Sequence, residues 1–402
     1  MKILYLHQYF KTPSEGGATR SYYLSQAMKN AGHDVTIITS HNSTRKEEKN
    51  VDGINVIYLP VRYDNSFGYL RRVLSFITFS RSVYRFFKSM KNQEFDLCYA
   101  TSTPLTIGWS AIQIKDKFQI PFIFEVRDLW PEAPIQLGVI KNPFLKMGLR
   151  AFEKYVYEQA LQIIALSPDM VAEIRKIVPW KDIKMIPNFS DPDFFEGKVR
   201  PLFTKDNKVV ISYFGAAGYV NGLNSLLNCA VAIQHDNRFE FRVMAEGAYL
   251  EKLKKEVRKN RLANVKFLPY GNKSQVISLL QDSSFSYISF LPKKVLGTNS
   301  PNKFFDSLAA GVPVIVNTKG WTQDIVVEYH CGFYHDFNES QSFTKALLAY
   351  VDNPATYAYA SENALFLAKN HFQKDRVIQK LIDDLSTIEN QKPGNEGIMK
   401  RA

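Results

Sequence analysis

The stretch SPNKFFDSLAAGVPVIV, residues 300–316, carries the densest signal in the chain. Ser300 has the side chain of an N-cap and Pro301 suits a first helical position, which predicts a helix over 301–310. Gly311 is expected to end that helix, and the apolar run 312–316 reads as a buried parallel strand. A helix N-terminus offers unpaired N–H groups and partial positive charge, a setting that suits a phosphate. Lys303 adds a point charge there, and Asp306, one turn further in, is placed to accept hydrogen bonds from a ribose diol. A capped helix with a purely structural lysine is the competing reading of the same residues.

Working outward, strand-like and helix-like runs alternate on both sides of this stretch. Strands are expected over 3–6, 35–39, 55–59, 97–100, 122–125 and 162–166. Helices are expected over 19–31, part of 68–90, 105–117, 144–160 and 169–177. Turn formers then gather around Ile186-Pro-Asn-Phe-Ser-Asp-Pro-Asp, a candidate hinge. A second set follows, with strands over 209–214, 240–245, 265–268, 285–289 and 312–316 and helices over 222–234, 248–260, 273–281 and 301–310. Such alternation predicts α/β architecture, two doubly wound parallel sheets in tandem. Residues 1–188 form the first domain and 189–373 the second. A polar helix over 374–389 is followed by a charged, disordered tail, so 374–402 is a separate segment that crosses back to the first domain. In such folds ligands bind where the carboxyl ends of the strands face the cleft.

The composition, 45% hydrophobic and 22% charged, fits a soluble α/β protein rather than a disordered or membrane-spanning one. Cys98, Cys229 and Cys331 are sparse and unpaired in spacing, as expected of reduced thiols in a cytoplasm. The N-terminus reads as a first buried strand and not a signal peptide, and no apolar run is long enough to span a bilayer. A net charge of +12 calls for an anionic partner. Between Asn65 and Gln93 the bases Arg71, Arg72, Arg81, Arg85, Lys88 and Lys91 stand among apolar and aromatic residues at helical spacing, with no acid. That pattern suits a helix lying on an anionic membrane, and equally a packing helix with solvated arginines. Nucleic acid is excluded as a partner, because the bases follow an apolar helix rather than a stacking groove.

Four loops at predicted strand ends carry site-like residues. Gly16-Gly17 after the first strand and Phe214-Gly215-Ala216-Ala217-Gly218 in the second half allow close backbone approach to an anion. Neither is a dinucleotide fingerprint or a Walker A loop. Arg127-Asp128-Leu129-Trp130-Pro131-Glu132 offers carboxylates for hydroxyls and an aromatic face for a sugar, with Thr101-Ser102-Thr103-Pro104 at the same edge. A structural Arg127–Asp128 pair with Trp130 in the core is the alternative. Asp191-Pro-Asp193 lies in the hinge rather than after a strand, and the seven histidines show no ligand spacing, so no metal site is expected.

Taken in order, the Gly-Gly loop, Ile186-Pro-Asn188, Gly215, Met244-Ala-Glu246-Gly247, Phe267-Leu-Pro-Tyr-Gly271 and the 300–314 stretch resemble glycosyltransferase family 4. This is the retaining family with the GT-B fold, two Rossmann-like domains facing a central cleft. With the Arg127–Glu132 segment, the likeness extends to the branch that builds bacterial surface polysaccharides, including N-acetylfucosamine transferases. It implies no cofactor or metal, only a nucleotide diphospho-sugar co-substrate, most often UDP-linked. Gly16, Gly17, Gly215, Glu246, Leu268, Tyr270, Ser300, Asn302, Lys303 and Asp306 would hold the donor. Arg20, Thr103, Arg127, Asp128, Trp130 and Glu132 would hold the acceptor, with Lys303 and Asp128 as catalytic groups. The acceptor implied is a polyprenyl-diphosphate-linked saccharide at the inner leaflet, which makes the enzyme cytoplasmic and peripheral. The sequence departs from the family pattern where Thr298 replaces the first glutamate of E-x7-E and Asp306 shortens the second. Ala216 and Asn221 stand where many relatives carry Arg and Lys, and Tyr99 to Thr103 replace a histidine-containing motif. A catalytically inactive GT-B subunit and a GT-B sugar-nucleotide epimerase are the remaining readings.

Overall fold

The computed structural model describes residues 1–15, 19–64, 67–90 and 94–391, without the side chain of Tyr69. Gly16 and Gly17, Lys91 and the tail beyond 391 therefore lie outside the described residues. The strands of the first sheet are β1 (Lys2–Leu6), β2 (Asp34–His41), β3 (Glu47–Val51), β4 (Ile54–Pro60), β5 (Leu97–Thr101), β6 (Phe122–Val126), β7 (Gln162–Ala165) and β8 (Ile183–Met185). Those of the second are β9 (Val209–Ala216), β10 (Phe239–Glu246), β11 (Val265–Leu268), β12 (Phe285–Ile288), β13 (Val314–Val316) and β14 (Gly332–Tyr334). Their spatial orders are β3-β4-β2-β1-β5-β6-β7-β8 and β11-β10-β9-β12-β13-β14. All pairs are parallel except β3 with β4. The order reverses at β1/β5 in one sheet and at β9/β12 in the other, and these two crevices are where such sheets take ligands.

The helices of the first domain are α1 (Arg20–Asn30), α2 (Tyr69–Ser89), α3 (Thr106–Phe118), α4 (Glu132–Gln136), α5 (Pro143–Gln159) and α6 (Pro168–Ile177). In the second domain come α7 (Asn224–Ala232), α8 (Leu250–Lys259), α9 (Lys273–Gln281), α10 (Lys294–Gly297), α11 (Asn302–Ala309), α12 (Trp321–Tyr329), α13 (Ser340–Val351) and α14 (Pro354–Asn370). The last, α15 (Lys374–Asn390), buries Val377, Ile378, Leu381 and Leu385 in one cluster with Ile3 and Tyr5 of β1 and Leu24 and Met28 of α1. The chain thus crosses between the domains twice, and the crossings bond to each other: Ser190 N–H donates to Phe372 O at 2.7 Å and Lys374 N–H to Ser190 O at 2.9 Å. Strands β1, β5, β6 and β7 are buried on both faces, which is why they read as unbroken apolar runs.

Two local expectations need correction. Ser300 does not cap α11: Pro301 holds the N-cap position with no side-chain bond, and Ser300 is turned to the hinge instead. Its Oγ accepts from Asn188 N–H at 3.2 Å, and its carbonyl accepts from Asn188 Nδ2 at 2.5 Å. Gly311 does end the helix, at φ +73°, with a Cβ excluded by Lys198 O, and the strand starts two residues later than expected, at Val314. On α2 the aromatic face is not offered to a membrane. Phe79, Val83 and Phe87 are buried in the domain core, while the exposed apolar residues are Leu70, Leu74 and Ile77 near its start.

Candidate active site

The Lys303 side chain is the centre of the site. It leaves the first turn of α11, partly buried, and lies over the Tyr213 ring at 4.0 Å from the centroid. Its Nζ donates to Tyr213 Oη at 2.8 Å, and that hydroxyl donates on to Ala216 O at 2.6 Å. No carboxylate pairs with it among the described residues, and burial alone pulls its pKa down to about 7. Gly215, at φ +107° on the end of β9, faces the ammonium: a Cβ there would stand 3.7 Å from Nζ. A bare cation beside an open backbone and a helix N-terminus is an arrangement completed by a phosphate.

Next to it, Glu246, Leu268 and Tyr270 sit at or just beyond the carboxyl ends of β10 and β11. Burial first, and then the Glu246 charge, raise the Tyr270 hydroxyl, which puts these two side chains in one neighbourhood. Gly247, at φ +139°, packs on Ala217, and Ala217 N–H donates to Glu246 O at 2.7 Å, so the two loops form one wall. Asn221 is spent inside its own loop, its Oδ1 accepting from Gly218 N–H at 3.0 Å. Asp306 is buried and accepts from Lys273 Nζ at 2.7 Å. Burial raises its pKa, Lys273 opposes this and Asp191 adds to it. Asn302, Asp306 and Lys273 share a small cavity of about 30 Å³ with Arg20 and Asp191, next to the Lys303 site. Thr298 is buried and turned inward, its Oγ1 bonded to Val295 O at 2.8 Å while its carbonyl accepts from Ser167 Oγ at 2.6 Å.

Across the cleft, Thr103 Oγ1 donates to Asp128 Oδ2 at 2.8 Å, on an exposed edge. Asp128 is therefore joined to Thr103 rather than to Arg127, whose Nη1 lies 3.4 Å from His7 Nε2. His7 is buried beneath this edge, and burial together with Arg127 holds its pKa well below the ordinary range. Trp130 packs against the domain core, and Glu132 is held by Arg150 at 2.9 Å and Gln136 at 3.0 Å.

Arg20 takes a different place from the one expected. Its guanidinium is buried, donating to Glu125 at 2.9 Å, to Pro187 O at 2.5 Å and to Ile186 O at 2.8 Å. Glu125 also accepts from Tyr99 Oη at 3.0 Å and Thr101 Oγ1 at 3.1 Å. With Nη2 also 2.9 Å from Glu125 and Nη1 3.5 Å from Asn188 Oδ1, Arg20 fastens the hinge to the first sheet, and its guanidinium is committed there rather than to an acceptor sugar. Three partners escaped the sequence reading. Tyr213 and Glu125 are hidden in strands that look wholly structural, while Lys273 was signalled by the Asn272–Gln275 capping box just past β11.

Two Rossmann-like domains, each with its crevice at the point where the strand order reverses, form the GT-B fold. Residues 15–188 match the family described as glycosyl transferase 4-like domain, and residues 195–365 match glycosyl transferases group 1. The chain belongs to the group 1 glycosyltransferases of family 4, retaining and metal-independent enzymes that use nucleotide-sugar donors. Among solved structures it is similar to sucrose-phosphate synthase from Thermosynechococcus elongatus (TM-score 0.78, 14% identity, 98% of this chain and 100% of that one). It is also similar to HepE of Anabaena in complex with UDP-glucose (TM-score 0.68, 16% identity, 96% and 100%). A third is the catalytic domain of starch synthase IV from Arabidopsis thaliana bound to ADP and acarbose (TM-score 0.71, 11% identity, 97% and 99%). No curated protein matches the chain in sequence.

Proposed function

We propose that the chain transfers a hexose, N-acetylated or deoxy, from a UDP-sugar to a polyprenyl-diphosphate-linked saccharide in surface-polysaccharide synthesis. Lys303, with no carboxylate on it among the described residues, beside Gly215 and the α11 N-terminus, carries this reading. As the anomeric bond breaks, charge grows on the leaving phosphate, and Lys303 with the neighbouring N–H groups stabilises it. The departing phosphate oxygen takes the acceptor proton, so the step needs no protein nucleophile. Asp128, steadied by Thr103, orients the acceptor hydroxyl. Closure of the domains about the Arg20-held hinge excludes water. Turnover of a panel of UDP-, GDP- and dTDP-sugars with a lipid-linked acceptor, followed by mass spectrometry, tests the reading. Donor converted without acceptor would point to an epimerase, and UDP bound without any turnover to an inactive subunit.

The Lys303 pKa supplies a second check. The free ammonium has a pKa of about 7, and a bound diphosphate would raise it, so binding takes up a proton. UDP affinity is expected to be greatest below pH 7 and to fall as pH rises through 7 to 9. Calorimetry in buffers of differing ionisation enthalpy at pH 8 would register the uptake, and an absence of uptake would remove Lys303 from the diphosphate.

For the membrane, the proposal moves from the aromatic side of α2 to its exposed start. Leu70, Leu74, Trp109, Phe144, Leu145 and Met147 are exposed at the starts of the adjacent helices α2, α3 and α5. Arg71, Arg81, Arg85 and Lys88 are exposed along α2, and Arg72 is partly buried, its Nε on Phe67 O at 2.9 Å. Among the described residues no helix is long and apolar enough to cross a membrane, so contact would be peripheral. Charge reversal at Arg71 together with Leu74→Glu, both exposed at the start of α2, is expected to abolish co-sedimentation with phosphatidylglycerol vesicles, and unchanged co-sedimentation would defeat the membrane reading.

A further inference from the structure

Away from Lys303, a cavity of about 530 Å³ opens between α4, α5 and α6 of the first domain and α10 of the second. Its volume falls in the range of roughly 300–1,000 Å³ typical of small-molecule sites. The floor is apolar, made by the buried Leu129 and Val295 with the partly buried Ile177, and Ala151 stands exposed at the mouth. The rim carries four cations, Arg150, Lys154, Lys176 and Lys294. Two ionised carboxylates face them: Glu132 on Arg150 at 2.9 Å, and Glu173, shared by Lys176 at 2.8 Å and Lys294 at 2.9 Å. A third carboxyl, Glu153, lines the cavity with no ion pair among the described residues, accepting from Tyr157 Oη at 3.0 Å.

We propose that this cavity binds a single-chain amphiphile headed by a phosphate or diphosphate, its chain on the apolar floor and its head among Lys154, Lys176 and Lys294. The excess of cations at the mouth and the apolar floor match such a molecule at both ends. Burial raises the Glu153 pKa to about 8, so at neutral pH it adds no charge to repel an anion. On α5, Met147 and Phe144 are exposed one and two turns before Ala151, so apolar surface lies along the helix next to the cavity mouth. Lys294–Glu173 and the Val295 N–H bond to Gln136 Oε1 at 3.0 Å span both domains, so an occupant would touch both at once. The inference takes the lipid-acceptor reading as its motive, but binding is tested without donor or turnover, so either can fail alone.

The probe is farnesyl diphosphate, titrated calorimetrically into the full chain, with inorganic diphosphate and farnesol as the two halves of the ligand. Both halves are expected to bind at least tenfold more weakly than the whole. Ala151→Trp, at an exposed position, and the double charge reversal of Lys154 and Lys176 should each weaken farnesyl diphosphate at least tenfold while UDP affinity is unchanged. Raising the pH from 7 to 9 should weaken it in the wild type, as Glu153 ionises, but less in Glu153→Gln. The groups facing Glu153 are Tyr157 and Arg150 on its own helix, Glu132 on α4, Glu173 and Lys176 on α6 and Lys294 on α10. Tyr157 is raised well above its ordinary value by burial and Glu153. Glu132 is lowered by Gln136 and Arg150 against burial, and Glu173 by its two lysines. Inorganic diphosphate binding as tightly as the farnesyl ester would overturn the proposal. So would affinity unchanged in either variant, or a pH profile identical in wild type and Glu153→Gln.

Discussion

Replacing Lys303 with alanine is expected to lower turnover about a hundred- to a thousandfold, the usual loss when one preorganised stabiliser of a developing anion is removed. The fold should survive, because the ammonium sits in a place that disfavours its charge: burial drags its pKa from 10.5 to about 7. The folded protein therefore binds this proton less well than the unfolded chain, and Lys303 makes folding more costly below pH 10.5 than above it. Lys303→Met, which keeps the packing on Tyr213, should melt no lower than wild type at pH 7 while remaining as inactive as the alanine variant. The pair of measurements separates a phosphate role from a structural one. Unchanged turnover in either variant would remove Lys303 from the leaving group, and a drop in melting temperature without loss of turnover would make it a packing residue.

Arg20→Ala is expected to cost about 3–5 kcal/mol of stability, because it strands the buried Glu125 carboxylate without its cation. Glu125→Ala should cost a similar amount by stranding the guanidinium. The double variant should lose much less than the sum, since neither charge is then left alone. Urea denaturation of the four proteins checks this. Additive losses would mean that the pair is not coupled and that Arg20 owes its place to Ile186 O and Pro187 O alone. The same experiment bears on function, because the hinge carbonyls held by Arg20 adjoin Asn188, which grips the loop before α11 through Ser300.

The two parallel sheets were legible because strands β1, β5, β6, β7, β9 and β10 are buried on both faces and interrupted by turn formers. The short edge strands β3 and β8 were not, since most of their residues are exposed and no continuous apolar run announces them, and β14, though largely buried, is only three residues long. On α2 the spacing showed an apolar face but not what covers it. The basic arginines suggested lipid, whereas α3 and the sheet already bury Phe79, Val83 and Phe87.

The 300–316 stretch shows where the boundary falls. By themselves its residues specified a helix ended by Gly311, a following buried strand and a lysine at the helix start, because glycine conformation, the proline at the helix start and apolar runs act over a few residues. That Ser300 serves the hinge, that Asp306 meets Lys273 and that Lys303 rests on Tyr213 were decided by tertiary structure alone. Those partners lie 112, 33 and 90 residues away along the chain, and only the packing of one element on another brings their charges and hydroxyls within bonding distance.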